Sequence, residues 1–188
     1  LTGKNGAGKS TLLNVLCGFL PLDYGTIERT EMTIGYLPFS HPLYRHLTVL
    51  ENLRYFYRSF HGKNLNLQDE AVQEILQALS IDYLEQRIDQ CSSGQEQKAG
   101  IACILLSNAD MIIMDEPFVA IDAKSSECLC ELIRRKSQDT VFLITSHTAA
   151  GIVPIADRLL VLDGHRLILD TKNHMEITQF FQLEEDAV

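Results

Sequence analysis

Leu1-Thr2-Gly3-Lys4-Asn5-Gly6-Ala7-Gly8-Lys9-Ser10-Thr11 decides how the rest of this chain is read. The stretch fits Gly-x-x-x-x-Gly-Lys-[Ser/Thr], the pattern of a phosphate-binding loop. Gly3, Gly6 and Gly8 let the backbone turn tightly enough to aim its N–H groups inward at phosphate oxygens. Lys9 is suited to reach β- and γ-phosphates, and the Ser10 hydroxyl to bind Mg²⁺. From Ser10 the residues Ser-Thr-Leu-Leu-Asn-Val-Leu-Cys-Gly read as a helix whose positive N-terminus faces those phosphates. The competing reading is a Gly-rich turn that holds nothing. Lys9-Ser10, followed directly by an apolar helix, argues against it.

Working outward, 188 residues suit one ordinary domain, or a domain with a sub-domain. Hydrophobic residues make up 46% and charged residues 22%, which places the chain among globular proteins. A net charge of −9 argues against a dedicated nucleic-acid binder, because no basic face would dominate. No run approaches the length of a membrane span, and no signal peptide is read. Because the loop motif opens the sequence, the strands that ordinarily precede it are expected upstream of Leu1. Cys17, Cys91, Cys103, Cys128 and Cys130 follow no zinc spacing. Cys128-x-Cys130 would point to different helix faces, so reduced, buried cytosolic thiols are expected.

Along the chain, Gly18 to Gly25 is turn-rich, and Thr26-Ile-Glu and Thr33-Ile-Gly-Tyr-Leu read as short strands. Thr48 with Glu51 makes a capping box for a helix over Val49 to His61. Helices are also expected over Gln68 to Leu79, Asp82 to Arg87, and Glu96 to Leu106. Met111-Ile-Ile-Met and Thr140-Val-Phe-Leu-Ile-Thr read as buried parallel strands. Helices over Ser125 to Lys136 and Gly151 to Asp157 separate those strands from a hairpin, Arg158 to Leu169, that turns at Asp163-Gly164. The tail, Met175 to Val188, is mildly amphipathic. The predicted architecture is α/β with a mostly parallel sheet. Its core is 1–47 with 107–172, a helical sub-domain is 48–106, and 173–188 is a tail.

Three further groups carry chemistry. Asp115-Glu116 ends the Met111–Met114 strand, at the sheet edge where ligands of open α/β sheets collect. There Asp115 would hold Mg²⁺ through water, and Glu116 would serve as general base. Cys91-Ser92-Ser93-Gly94-Gln95 precedes a helix and offers a second anion site, or simply a Ser N-cap. One nucleotide needs one such loop, so a second makes sense against a nucleotide held by another subunit. His147, after the Val141–Ile144 strand, sits where a histidine can contact a γ-phosphate and orient water.

In order and spacing, Gly3–Ser10, Ser92-Ser93-Gly94-Gln95, Asp115-Glu116, Ala120-Ile121-Asp122 and His147 closely resemble the ABC-transporter ATPase subunit, over nearly the whole chain. The resemblance makes Gly3, Lys4, Asn5, Gly6, Ala7, Gly8, Lys9, Ser10 and Thr11 the Walker A site for ATP. It makes Ser92, Ser93, Gly94 and Gln95 the signature, and Asp122 the end of the D-loop. Ser10 and Asp115 become the Mg²⁺ residues, and Glu116 and His147 the catalytic pair. It further implies a head-to-tail dimer with a second ATPase subunit, sandwiching two ATP molecules, and transmembrane permease subunits as partners. The location implied is peripheral, on the cytoplasmic side of a membrane, with no nucleic-acid partner.

Gly35-Tyr-Leu-Pro, Pro42-Leu-Tyr and Leu47-Thr-Val-Leu-Glu-Asn-Leu resemble exporter-type subunits, and Glu116 to Asp122 is similar to the haem-exporter subunit of cytochrome c maturation. Exposed aromatics among Tyr44, Tyr55, Phe56, Tyr57 and Phe60 would then face the membrane partner. The chain also departs from the family. Phe39 falls where the Q-loop glutamine is usual, and Phe ligates neither Mg²⁺ nor water. Ser93 replaces the signature's first Gly, Cys91 its Leu, and Lys98 represents the basic residue that follows. Other readings are a non-transport ATPase of the same superfamily and a regulatory ATP-binding cassette with weak turnover.

Overall fold

The computed structural model describes residues 1–28, 30–40, 43–146 and 152–185. In chain order the elements are β1 (Thr2–Gly3), α1 (Lys9–Leu16), β2 (Ile34–Leu37), α2 (Val49–His61), α3 (Glu70–Ala78), α4 (Ser93–Leu105) and β3 (Met111–Met114). There follow α5 (Ala123–Lys136), β4 (Val141–Ile144), β5 (Leu159–Asp163), β6 (Arg166–Thr171) and α6 (His174–Glu185).

β2, β3 and β4 pair in parallel, with Gly35 opposite Ile112 and Ile112 opposite Phe142. β1 pairs in parallel with β5, and β5 pairs antiparallel with β6. Leu1 joins the two sets edge to edge: its nitrogen donates to the Ile144 carbonyl at 2.8 Å, and its carbonyl accepts from the Ser146 N–H at 3.2 Å. The consequence is positional. The carboxyl ends of β1, β3 and β4 open on one edge, bringing Asp115 and Thr145 together beside the loop that follows β1.

The mostly parallel sheet with flanking helices agrees with the predicted α/β class. Its apolar strands are covered by helix faces in one core, where Leu37, Ile112 and Met114 meet Leu53 of α2, Ile101 and Leu105 of α4, and Leu129 of α5. These side chains are fully or almost fully buried, so truncating one such as Ile101 to Ala costs about 2–5 kcal/mol. A second cluster, Leu159 and Val161 with Ile177 and Phe181, docks α6 against β5.

The helix over Val49 to His61 forms as its capping box predicts. Thr48 Oγ1 accepts from the Glu51 N–H at 3.1 Å, and Glu51 Oε2 accepts from the Thr48 N–H at 2.7 Å. The helix expected over Asp82 to Arg87 does not form. The carbonyls of Leu84 and Gln86 instead accept from the N–H groups of Leu50 and Val49, so they serve the start of α2 rather than a helix of their own. Residues 26–28 carry no strand, and among the described residues no strand pairs with them. Within the expected helix from Gly151 to Asp157, the described residues form a short 3₁₀ turn, Val153–Ile155, with Pro154 in its first turn. The hairpin turns one residue later than expected, at Gly164-His165. Both have positive φ, 50° and 62°, as a twisted two-residue turn demands.

Candidate functional site

A cleft of about 820 Å³ lies at the shared strand edge, lined by Asn5 through Leu12 together with Asp115, Glu116, Phe39 and His165. The loop reaches it because α1 starts at Lys9, right after Gly8, whose φ is +100°. The first amides of a helix have no intrahelical acceptor, so α1 presents N–H groups and a positive dipole end to the cleft. Lys9 is buried, its Nζ donating to the carbonyls of Gly3 at 2.7 Å and Lys4 at 3.3 Å. Those weak neutral acceptors are the contacts a phosphate would displace.

Gly3 also serves the sheet. A Cβ there would sit 2.1 Å from the Leu162 carbonyl oxygen, so this glycine, at φ +144°, lets β1 approach β5 where the loop begins.

Asp115 is the junction of the site. Its Oδ2 accepts from Ser10 Oγ at 2.7 Å and its Oδ1 from Thr145 Oγ1 at 2.6 Å. Thr145 Oγ1 in turn accepts from the Glu116 N–H at 2.8 Å. Thr145 and Asp115 are both almost fully buried, and Glu116 is 9% exposed. Thr145 escaped the sequence reading; the available signal was a hydroxyl at the carboxyl end of β4, next to Asp115. Tyr36 stands behind this group, its hydroxyl pKa pushed up to about 12 by burial and then by the negative charge of Asp115.

The donor set fits the groups that the motif implies. Ser10 and Asp115 supply hard oxygens, and among the described residues no three His, Cys, Asp or Glu side chains form a metal cage. A cation held by one carboxylate, one hydroxyl, water and phosphate is the manner of Mg²⁺. The glycine-rich loop with a buried ammonium is the manner of a nucleoside triphosphate.

Phe39 lines the cleft and is 60% exposed, forming an apolar rim with Leu22 and Val119. Ser92, Ser93, Gly94 and Gln95 lie outside this cleft, at the start of α4. Asp122 lies outside it too. Its side chain caps α5, accepting from the Ser125 N–H at 2.9 Å, and it pairs with Lys98 Nζ at 2.6 Å. Lys98 first, and then the Ser125 N–H, hold this carboxyl well below the usual carboxylate range. His147 lies outside the described residues. Of the five thiols expected to be buried, Cys103 and Cys130 are, and Cys17, Cys91 and Cys128 are partly exposed. Burial pushes Cys103 up to about 12 and Cys130 up to about 11, so neither of these two is a thiolate at neutral pH.

The family described as "ABC transporter" matches residues 1–119, well over half of the chain. The chain belongs to the ABC transporter family. It carries the ABC ATPase cassette, the domain in which that family binds and hydrolyses ATP. It is 29% identical over 185 residues to the ABC transporter protein AbcA of Aeromonas salmonicida, covering 97% of this chain and 60% of AbcA. It is 32% identical over 170 residues to the zinc import ATP-binding protein ZnuC of Rickettsia conorii, covering 88% of this chain and 70% of ZnuC. Among solved structures, the RNase-L Inhibitor superposes with a TM-score of 0.81 at 26% identity, over 97% of this chain and 36% of that one. The cassette therefore spans only part of each of these proteins.

Proposed function

We propose that this cassette is the ATP-hydrolysing motor of a transporter whose membrane-spanning subunits are separate from it. The observation that carries the reading is the Asp115 junction, where a carboxylate and the hydroxyls of Ser10 and Thr145 lie within 2.7 Å beside the anion loop. When bound, ATP supplies the bond to be cleaved and Mg²⁺ the charge that offsets its phosphates. The chain's residues do the rest. Gly6, Gly8 and Thr11 with their neighbours hold the phosphates through N–H groups, and Lys9 turns from its carbonyls to their charge. Ser10 and Asp115 hold the metal side. Glu116 accepts the proton of the attacking water, and His147 orients that water. The bond from the Glu116 N–H to Thr145 fixes the backbone of the base.

Ser92, Ser93, Gly94 and Gln95 lie outside this chain's own cleft, which supports their serving a nucleotide held by a second copy. The reading is a head-to-tail dimer with Asp122 at its D-loop. Helix α2 of the helical sub-domain 48–106, with the loop before it, presents the surface for the membrane partner. Tyr44, Tyr55 and Phe60 are each nearly half exposed there, with Tyr44 edge-on to Tyr55 at 4.7 Å. Asn52 anchors that loop, accepting from the Tyr44 N–H at 2.8 Å and donating to its carbonyl at 3.1 Å. The proposed position is peripheral, on the cytoplasmic side of a membrane beside separate permease subunits; among the described residues no helix is long and apolar enough to cross a membrane.

Export is the proposed direction, on the segments Gly35–Pro38 and Leu47–Leu53 and the haem-exporter likeness of Glu116–Asp122. The name of ZnuC carries the opposite direction. A second reading is a non-transport ATPase of the same superfamily, and the name of the RNase-L Inhibitor carries no transport. Affinity purification from membranes separates them: a co-purified membrane protein supports transport, and co-purified ribosomes overturn it. Uptake and efflux assays in inverted and right-side-out vesicles then fix the direction.

A further inference from the structure

Between β3 and α5 the chain runs through two left-handed residues that are not glycine, Glu116 at φ +54° and Ala120 at φ +65°. Such conformations persist only where their surroundings hold them. The holding contacts come mostly from one helix. Gln97 Nε2, buried, donates to the Pro117 carbonyl at 3.0 Å. Gly94 lies so close to the Ala120 carbonyl oxygen that a Cβ there would approach it to 2.4 Å. Lys98 Nζ, on a side chain only 12% exposed, closes on Asp122 Oδ2 at 2.6 Å. Positions 94, 97 and 98 are spaced i, i+3, i+4, so they form one face of α4, and that face grips the 117–122 segment along its length. The segment's other end is fixed by the bond from the Glu116 N–H to Thr145.

We infer that Lys98 is a positioning residue for Glu116, acting through Asp122 to make α4 a strut that sets the backbone leading from the base. The same helix begins at Ser92 to Gln95. Engagement of that loop by a partner's nucleotide and the setting of this chain's own Glu116 thereby become one movement. The inference rests on the reading of Glu116 as general base and of Ser92–Gln95 as a contact to the other copy's ATP.

The test compares Lys98→Ala, Lys98→Arg and wild type in the full-length protein. The readouts are steady-state ATP hydrolysis and amide hydrogen exchange across 116–122 without nucleotide. Wild type is expected to respond cooperatively to ATP. Lys98→Ala should lower kcat by roughly tenfold or more with KM unchanged, bring the Hill coefficient to about 1, and speed exchange across 116–122. Lys98→Arg should restore all three. A Lys98→Ala protein with the wild-type kcat and Hill coefficient overturns the inference. So does one whose KM rises while kcat holds, since that would make Lys98 a nucleotide contact. Absence of turnover in wild type would sink the ATPase reading by itself. The strut would then stand if exchange across 116–122 quickened in Lys98→Ala alone, and fall if it did not.

Discussion

Two helices of this chain begin at small-residue turns that both suit anions, and they begin in opposite ways. α1 follows a left-handed Gly8, has no side-chain cap, and carries no acid in its first turn. α4 follows Ser92, whose Oγ accepts from the Gln95 N–H at 3.2 Å while Gln95 Oε1 accepts from the Ser92 N–H at 2.9 Å. Glu96 adds a negative charge to its first turn. An uncapped start leaves its amides and dipole to an outside anion, whereas a capped and acid-bearing one is largely satisfied by itself. The first is built to capture phosphate unaided. The second suits only an anion already held elsewhere, as a nucleotide on another copy would be.

The sharpest break of this comparison is Glu116→Gln. If Glu116 is the base, as proposed, its loss should lower turnover by about 10²- to 10⁴-fold while ATP binding persists, read as phosphate release beside equilibrium binding. Lys9→Ala strikes the capturing end. It should weaken ATP binding by about 1.5–3 kcal/mol, roughly ten- to a hundredfold, in a fluorescent-nucleotide titration. Thr145→Val strands Asp115 Oδ1 and the Glu116 N–H, so the urea midpoint should fall by the equivalent of about 1–3 kcal/mol with the slope unchanged. Ser92→Ala removes a cap worth about 1 kcal/mol of stability. It should leave ATP affinity of the single chain untouched, in contrast to Lys9→Ala.

The smallest effect concerns acid. Asp122 has a depressed folded pKa, so its contribution to stability is complete above the ordinary carboxylate pKa of about 3.9 and drains away as pH falls below it. Its side chain is half exposed, so the effect is screened. Denaturation midpoints below about pH 4 should fall more steeply for wild type than for Lys98→Met.

What was legible in the sequence was local. The loop motif, the capping box of α2 and the apolar run into Asp115-Glu116 each lie within a dozen residues, and their physics needs no distant partner. What escaped was set by neighbours far along the chain. The carbonyls of 84 and 86 look helical until Val49 and Leu50 claim them. The second duty of Gly3, letting β1 approach the Leu162 carbonyl, shows only once β5 is beside it. Thr145 and Asp115 meet across adjacent strands, and Lys98 reaches Asp122 across 24 positions. Phe39 stands out in the sequence by its type alone, and its place on an apolar rim with Leu22 and Val119 needed the fold.

The most direct test of the two-ended account is sedimentation of the full-length Glu116→Gln protein with and without ATP and Mg²⁺. The account predicts a monomer that doubles in mass when ATP binds, because each α4 start then meets a nucleotide captured by the other copy's α1. A protein that binds ATP to saturation and remains monomeric would contradict it.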